Sequence, residues 1–409
     1  MNKFKRYCPI PFFSVELNSN EHAKLCCNSG HRYTMDGDLK HFWHSDKMKD
    51  IRKNMLDDKY YDDCQLCYQR EELFNDSKRL DELVRQGKYY KTPLAFPTFL
   101  QLNLSNICNL KCIMCSPKYS TKWNEDVDKL KGMRKNLVKE SASKLSTEVL
   151  KRTIKDFIET RSFAEKTVEI YGGEPFLSKE FWKIISEIPY KKLRNVIFRC
   201  NTNGTILNKP IMDGLKKFKK AMINFSIDGI GDVFEFQRFP ANWEKVKKNI
   251  LYMKEFDKRF RFKFKCDLYF TLTSFSGIGL KEFLDFCKKH DFEYYINIAD
   301  NEPLIDVKDR KIVRDSREDL NEWEEPEYFG AKGFTHPCML PEVVKEQILS
   351  EVESMLSHAN YIKVKNSFSD TKVFNVKMLN QFPNYCELLK QVRGLDFLKM
   401  LEERYNYAY

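Results

Sequence analysis

The chain has 409 residues, of which 42% are hydrophobic and 32% are charged, and its formal net charge is +11. This content is enough for one large core and a smaller module, and it excludes a disordered chain. The first residues, MNKFKRYCPIPFF, show no secretion signal, and no stretch approaches the length of a membrane span. We therefore expect a cytoplasmic protein with no membrane partner.

Two features of the composition bear on chemistry. Thirteen cysteines in a long chain without a secretion signal favour metal or redox chemistry over a disulfide framework. The positive charge is spread along the sequence, with one lysine-rich stretch over residues 129–155. Such a stretch is most often a solvated helix face. A nucleic-acid partner is compatible with it, but nothing else in the sequence supports one.

Residues 1–80 form the first predicted unit. It is irregular apart from a short helix around KMKDIRKNML, and it carries one group of cysteines. Two of these cysteines, Cys64 and Cys67, form a C-x2-C pair, a spacing that serves both zinc and iron–sulfur sites. With zinc, the neighbouring histidines are alternative ligands. The cysteines are Cys8, Cys26, Cys27, Cys64 and Cys67, and the histidines are His22, His31, His41 and His44.

Residues 73–97 read as a polar helix followed by a proline-punctuated linker, and the linker, taken as residues 81–97, separates this unit from the next. Beyond it, short apolar runs alternate with segments of helical periodicity, which predicts a parallel α/β sheet with helices outside. Six such units fit a partial barrel or an open doubly wound sheet, and in both the ligands gather at the carboxyl ends of the strands. The predicted strands are residues 98–104, 167–171, 195–200, 222–227, 267–273 and 294–299.

The sequence CNLKCIMC follows the first of these strands. Cys108, Cys112 and Cys115 have the spacing C-x3-C-x2-C, with no fourth cysteine in reach. A structural zinc site needs a fourth ligand. A [4Fe–4S] cluster held by three thiolates instead leaves one iron open to another ligand.

Further motifs follow the next strands. YGGEPFL contains Gly172 and Gly173, which allow a close backbone approach, and Glu174, which supplies an acceptor. RCNTNGTIL contains Asn203. FSIDG contains Ser226, and the segment after it contains Arg238, whose planar guanidinium suits a carboxylate.

Together these motifs resemble the radical S-adenosylmethionine (SAM) superfamily. The resemblance implies a partial (β/α)6 TIM-like barrel over residues 98–305, with the cysteine trio holding a [4Fe–4S] cluster. It implies that the GGEP motif holds the amino group of SAM. Ser226 and Arg238 would contact its carboxylate or ribose, and Asn203 would lie near the ribose. Met114 stands where many members have an aromatic residue beside the adenine.

The implied reaction begins with SAM bound at the open iron. An electron from the cluster cleaves the sulfonium bond and gives a 5′-deoxyadenosyl radical, which abstracts hydrogen from the substrate. A flavodoxin- or ferredoxin-type electron donor is then expected.

The first unit resembles the SPASM and twitch modules of this superfamily, here placed before the barrel. The resemblance implies a second [4Fe–4S] cluster on Cys8, one of Cys26 or Cys27, Cys64 and Cys67, with Cys26 preferred. Zinc stays an alternative.

Residues 306–409 are predicted to form a mostly helical extension. Asp300, Asn301 and Glu302, after the last strand, are candidates for a substrate pocket, although a polar turn is the simpler interpretation. Cys266, Cys287, Cys338 and Cys386 are expected to pack as small hydrophobic residues. Cys200 ends a strand near the candidate site, but core packing is again favoured.

We therefore expect a radical SAM enzyme, acting by analogy with its auxiliary-cluster relatives on a peptide or protein side chain. One alternative keeps this chemistry with a nucleotide, nucleic acid or sugar as substrate. Another is a non-catalytic iron–sulfur or zinc protein that transfers electrons.

Overall fold

The computed structural model describes residues 6–35, 38–74, 77–86, 90, 92–130, 137–162, 164–260, 263–298, 335–369 and 376–408. Residues 73–74 and 376–379 are described by their backbone alone.

One eight-stranded sheet organises the described chain, in the order β2-β1-β3-β4-β5-β6-β7-β8. All six strands predicted after residue 97 are present, mutually parallel and adjacent in chain order. The α/β class and the partial TIM-like barrel are therefore confirmed. The strands are β1 Ser14–Leu17, β2 Ala23–Lys24, β3 Phe99–Asn103, β4 Lys166–Tyr171, β5 Val196–Thr202, β6 Lys220–Ser226, β7 Phe264–Leu272 and β8 Glu293–Ile298.

The sheet has one apolar and one polar face, because side chains alternate along each strand. The apolar face packs against helices. Phe198 of β5, for example, lies 5.8 Å from the Trp182 ring and 5.0 Å from the Phe218 ring. Gln101, Glu169 and Arg199 are in register across three neighbouring strands on the polar face. This face carries charges of both signs.

The first unit extends this sheet instead of standing apart from it. Strand β1 pairs in parallel with β3, so that Glu16 lies opposite Gln101. No pattern in the sequence indicates this strand as part of the barrel sheet. Four residues give too little periodicity to identify a strand, and its partner lies more than eighty positions later in the chain.

Helices fill the connections and the carboxyl-terminal region. Several begin at residues whose side chains accept from the first turn, as Ser178 and Asn242 do. The helices are α1 Ile10–Phe13, α2 Leu39–His44, α3 Asp46–Leu56, α4 Gln65–Phe74, α5 Lys78–Gln86, α6 Val127–Leu130, α7 Thr147–Glu159, α8 Lys179–Glu187, α9 Tyr190–Leu193, α10 Lys209–Leu215, α11 Gly231–Gln237, α12 Trp243–Arg259, α13 Leu280–His290, α14 Glu342–Val352, α15 His358–Phe368, α16 Val376–Arg393 and α17 Phe397–Tyr405.

The predicted helical extension is present and packs on the core. Phe397 of α17 stacks on Phe236 of α11, with ring centroids 5.6 Å apart. Lys363 of α15 donates to the carbonyl of Ile296 on the edge strand β8. Among the described residues, no helix combines the length and the apolar character needed to cross a bilayer.

Candidate functional site

The loop after β3 carries the cysteine trio at the carboxyl edge of the sheet. Cys108, Cys112 and Cys115 are all half-buried. The backbone N–H of Cys115 donates to the carbonyl of Cys112 at 2.9 Å, so the last two cysteines share one turn. The thiols of Cys108 and Cys112 interact electrostatically. The loop therefore presents its cysteines close together with part of each exposed.

Two N–H groups face the sulfur of Cys108. The backbone N–H of Leu110 lies 3.4 Å from Sγ, and Nδ2 of Asn203 lies 3.9 Å from it. Nδ2 of Asn203 also donates to Asn109 at 3.0 Å, which fixes its orientation. Burial, together with the nearby Cys112 thiol, raises the pKa of Cys108 to about 12, against the opposing effect of the Leu110 N–H. Without a bound cation this thiol stays protonated at neutral pH.

Cys112 lies beside a cation. Nη1 of Arg238 is 3.8 Å from its sulfur, and Nη2 of Arg238 is 2.6 Å from the buried carboxylate of Asp228. Burial raises the pKa of Cys112, while the positive charge of Arg238 acts in the opposite direction. The backbone holds the two segments together, because the N–H of Ile113 donates to the carbonyl of Gln237 at 2.9 Å. Arg238 is thus positioned by Asp228 to stabilise a thiolate at Cys112.

Gly172 and Gly173 lie directly against the cysteine loop. Both have positive φ, +91° and +52°. A Cβ at Gly172 would lie 2.6 Å from the carbonyl oxygen of Ser105, and one at Gly173 would lie 2.1 Å from that of Ile107. The glycines therefore allow a close approach between two backbone segments. Whether they also approach SAM, as the resemblance implies, stays a prediction.

The Glu174 carboxylate accepts its hydrogen bonds from groups within the protein. It is 2% exposed and accepts from the backbone N–H of Phe176 at 3.0 Å and of Asn203 at 2.8 Å. The hydroxyl of Thr202 donates to it at 2.7 Å. Burial raises the pKa of Glu174, against the effect of these donors. Glu174 thereby joins the ends of β4 and β5 and holds Asn203 beside Cys108.

The remaining predicted residues have varied surroundings. Ser226 is half-buried at the carboxyl end of β6. The sulfur of Met114 accepts from Nε2 of Gln237 at 3.9 Å. Cys200 is 1% exposed on the apolar face, so it is a core residue. The cysteines expected to pack as small hydrophobic residues are also buried. Asp300, Asn301 and Glu302 lie outside the described residues.

In the first unit, four cysteines come together from separate elements. Cys8 precedes α1, Cys26 follows β2, Cys64 precedes α4, and Cys67 lies within α4. The thiol of Cys64 interacts electrostatically with the other three, and burial raises its pKa. Burial also raises the pKa of Cys8 to about 12. The thiol of Cys26 interacts with those of both Cys8 and Cys67.

Cys27 differs from this group. The residue is exposed, and the electrostatic neighbours of its thiol are Lys78, Glu16 and Lys24, followed by Cys67. His31, one of the candidate zinc ligands, is hydrogen-bonded through Nδ1 to the buried carboxylate of Asp63 at 3.1 Å. Cys26 is thus the buried member of this adjacent pair and Cys27 the exposed one, and the choice of Cys26 as a ligand stays a prediction.

In neither cysteine set, nor elsewhere among the described residues, do three His, Cys, Asp or Glu side chains converge as the ligands of a single metal ion. The surroundings of Cys108 and Cys112 do suit thiolate ligands of a cluster, because N–H groups and a guanidinium point at the sulfurs. Such outer contacts orient ligands and tune a bound centre. The residues present therefore fit a [4Fe–4S] cluster at the trio.

Two further residues, not among those predicted from the sequence, support this loop. Asp228, within the FSIDG motif, holds Arg238, and its place beside a candidate arginine was a usable signal. Arg393 of α16 donates to the carbonyls of Phe236 at 2.9 Å and Lys111 at 2.7 Å. No sequence signal links Arg393 to a loop 282 positions earlier.

Residues 102–288, which include the trio, the GGEP turn and Arg238, match the family model described as the radical SAM superfamily. Residues 102–288 are therefore similar to a radical SAM core. This core begins within β3 and ends within α13, and it excludes the first unit and the helical extension.

Curated relatives of the radical SAM core are enzymes. GTP 3′,8-cyclase of Campylobacter lari is 26% identical over 187 residues, which are 46% of this chain and 50% of that protein. Fe-coproporphyrin III synthase of Methanosarcina barkeri is 28% identical over 155 residues, 38% of this chain and 32% of that protein. The chain thus spans half or less of the length of these relatives.

Solved structures resemble the chain more distantly. Native anSMEcpe with bound AdoMet is 18% identical with a TM-score of 0.39, covering 63% of this chain and 59% of that one. Streptococcus suis SuiB bound to precursor peptide SuiA is 16% identical with a TM-score of 0.38, covering 85% of this chain and 70% of that one.

Proposed function

We propose that the chain is a radical SAM enzyme that cleaves SAM reductively and abstracts a hydrogen atom from its substrate. The observation that carries this proposal is the cysteine loop, held against the Gly172–Gly173 turn with N–H donors directed at Cys108 and Cys112. Cys108, Cys112 and Cys115 hold a [4Fe–4S] cluster with one iron left for SAM. When bound, the cluster and SAM supply the electron and the 5′-deoxyadenosyl radical.

In this proposal the chain's own residues stabilise the thiolates and orient SAM. Asn203 and Leu110 donate to Cys108, and Arg238 compensates the charge of Cys112. Gly172, Gly173 and Ser226 lie at the same edge of the sheet and are proposed contacts of SAM. Glu174 is a positioning residue here, because its carboxylate already accepts three hydrogen bonds from the chain.

The first unit is proposed to be a twitch- or SPASM-type module that holds a second [4Fe–4S] cluster. Its ligands are Cys8, Cys26, Cys64 and Cys67, whose thiols interact with one another. Four ligands saturate such a cluster, which suits electron transfer. A flavodoxin- or ferredoxin-type protein is the proposed electron donor.

The proposed substrate is a peptide or protein side chain. Auxiliary modules of the kind that the first unit resembles accompany such substrates. The charges on the polar face of the sheet also support it, because four carboxylates are balanced by four cations. They are Glu16, Glu169, Asp267, Glu293, Lys24, Arg199, Lys220 and Lys265.

A nucleotide is the second candidate substrate. The observation that favours it is the match of the core to proteins named GTP 3′,8-cyclase. A nucleoside triphosphate needs a surplus of cations around its phosphates, which the balanced polar face does not offer.

The reaction is tested with anaerobically reconstituted full-length protein, dithionite and SAM. We expect 5′-deoxyadenosine and methionine from the wild type and none from Cys112→Ala. Cys287→Ala is the matched control, because that cysteine is buried in α13 away from the loop. A colourless zinc protein that leaves SAM intact would contradict the proposal, as would SAM cleavage that survives in Cys112→Ala.

The substrate class is tested separately. Active enzyme is incubated with SAM and either a proteome extract or GTP, and the products are analysed by mass spectrometry. Peptides with altered mass that require SAM support the peptide substrate. Conversion of GTP without any altered peptide supports the nucleotide instead.

A further inference from the structure

A cavity of about 230 Å³ lies between the first unit and the polar face of the sheet. One wall is helix α5, and the opposite wall is formed by strands β3, β4 and β5. No motif assigned above lines it. The lining residues are Lys78, Asp81, Glu82, Arg85, Phe99, Glu169 and Arg199.

The charged side chains of this cavity differ in the hydrogen bonds and ion pairs that they already make. The Glu82 carboxylate binds Arg85 through hydrogen bonds of 2.6 to 2.9 Å and lies 3.8 Å from Lys78. The Glu169 carboxylate accepts from Gln101 at 2.8 Å. Arg199 has only a longer contact, because its Nε lies 3.7 Å from Glu169. Among the described residues, no acceptor lies within hydrogen-bond distance of the Arg199 guanidinium.

The ring of Phe99 completes the surroundings of this guanidinium. It is 8% exposed, and the guanidinium carbons of Arg85 and Arg199 lie 5.5 Å and 6.0 Å from its centroid. A cation over an aromatic face is held in place while its N–H groups stay available at its edge. Arg199 is therefore an oriented donor fork facing a cavity, 30% exposed at its side chain.

The cavity also lies within reach of the cysteine loop. Glu169 precedes Gly172 by three residues of β4, and Arg199 precedes Asn203 by four residues at the end of β5. At ~3.3 Å per residue these separations are roughly 10 to 13 Å. An extended peptide has the same rise, so a group bound at Arg199 would lie three or four residues from one at the loop.

We infer that this cavity binds a carboxylate of the peptide substrate, with Arg199 as the specificity-determining residue. This inference rests on the proposed function, because it assigns the cavity to the substrate of that function. A carboxylate fits because one planar guanidinium pairs with it through two parallel hydrogen bonds. A phosphate dianion fits less well, since Lys78, Arg85 and Arg199 are balanced by Asp81, Glu82 and Glu169.

The test measures binding to the reconstituted holoenzyme with SAM, under anaerobic conditions, by fluorescence anisotropy. The probes are fluorescein-labelled hexapeptide pools of neutral residues with blocked ends, carrying either Glu or Gln at one fixed position. A third pool, with Gln and a free carboxyl terminus, distinguishes a side-chain carboxylate from a terminal one. We expect the wild type to bind one carboxylate pool about tenfold more tightly than the blocked Gln pool.

Arg199→Gln should abolish this preference, and Arg199→Lys should reduce it, because lysine keeps the charge but loses the fork. Arg194→Gln is the matched control, since Arg194 is exposed outside the cavity, and it should keep the full preference. Circular dichroism verifies that each variant is folded. Equal binding of all pools, absence of binding, or a preference retained in Arg199→Gln would each overturn the inference, as would tighter, Arg199-dependent binding of GTP.

SAM cleavage without peptide separates this inference from the proposed function. If the wild type cleaves SAM but shows no carboxylate preference, the inference alone fails. If it shows the preference but does not cleave SAM, the proposed function alone fails.

Discussion

The guanidinium of Arg393 in α16 donates to the carbonyl of Lys111, the residue before Cys112, at 2.7 Å. The same side chain donates to Phe236 and lies 5.7 Å from the centroid of the Trp123 ring. It is 4% exposed. A buried, charged hydrogen bond therefore joins the carboxyl-terminal extension to the cysteine loop, although the two residues lie 282 positions apart in the sequence.

Replacing Arg393 with methionine should weaken both the fold and the loop. Two buried carbonyls would lose a charged donor, which we expect to lower the free energy of unfolding by roughly 2–4 kcal/mol. Urea denaturation measures this loss of stability. The iron retained by the reconstituted protein is assayed after gel filtration has removed unbound iron. Arg404→Met is the control, because Arg404 joins Asp232 and Glu282 at a more exposed position and should cost under about 1 kcal/mol. Equal losses in both variants would show that the contact with the loop has no special role.

Gly173→Ala should displace the cysteine loop. The new Cβ would lie 2.1 Å from the Ile107 carbonyl oxygen, a clash whose relief costs roughly 1–3 kcal/mol beyond backbone strain. Gly231→Ala introduces the backbone strain without the clash. Gly231 has a similar φ of +58°, and a Cβ added there would have no atom within 4 Å. Iron content and SAM cleavage should fall in the first variant and be retained in the second. Retention of both in Gly173→Ala would mean that the close approach is dispensable.

Cys26→Ser and Cys27→Ser form a matched pair at adjacent positions. If Cys26 is a cluster ligand, its replacement should reduce the iron content from about eight to about four atoms per chain. Cys27→Ser should keep both clusters, because Cys27 is the exposed member of the pair. Colorimetric iron analysis and electron paramagnetic resonance of the reduced proteins distinguish the two variants. The reverse pattern would assign the ligand to Cys27, and zinc without iron in the first unit would exclude the second cluster.

Glu174→Gln should destabilise the protein by roughly 1–3 kcal/mol. Three donors converge on the buried carboxylate, and a glutamine amide would direct its own N–H groups at one or more of them. Thermal and urea denaturation measure the change. Glu255→Gln on the exposed side of α12 is the control and should stay within about 0.5 kcal/mol of the wild type. A Glu174→Gln variant of wild-type stability that no longer binds SAM would instead indicate a direct contact between Glu174 and SAM.

The sequence alone identified the strands of the barrel and the cysteine trio. The apolar runs that form β3 to β8 are local signals, because each strand buries one face against neighbouring helices. The spacing of Cys108, Cys112 and Cys115 is equally local. Core packing, the favoured interpretation for Cys200, agrees with its burial on the apolar face of β5.

The tertiary structure alone decided how these parts support one another. The addition of β1 to the barrel sheet and the hydrogen bonds of Glu174 at the end of β5 both depend on residues distant in the chain. So do the contacts of Asp228 and Arg393 with the site. The reason is physical. Spacing and periodicity express what one segment can bury or bind by itself, whereas the partner of a buried charge or the neighbour of an edge strand is fixed only when the chain packs.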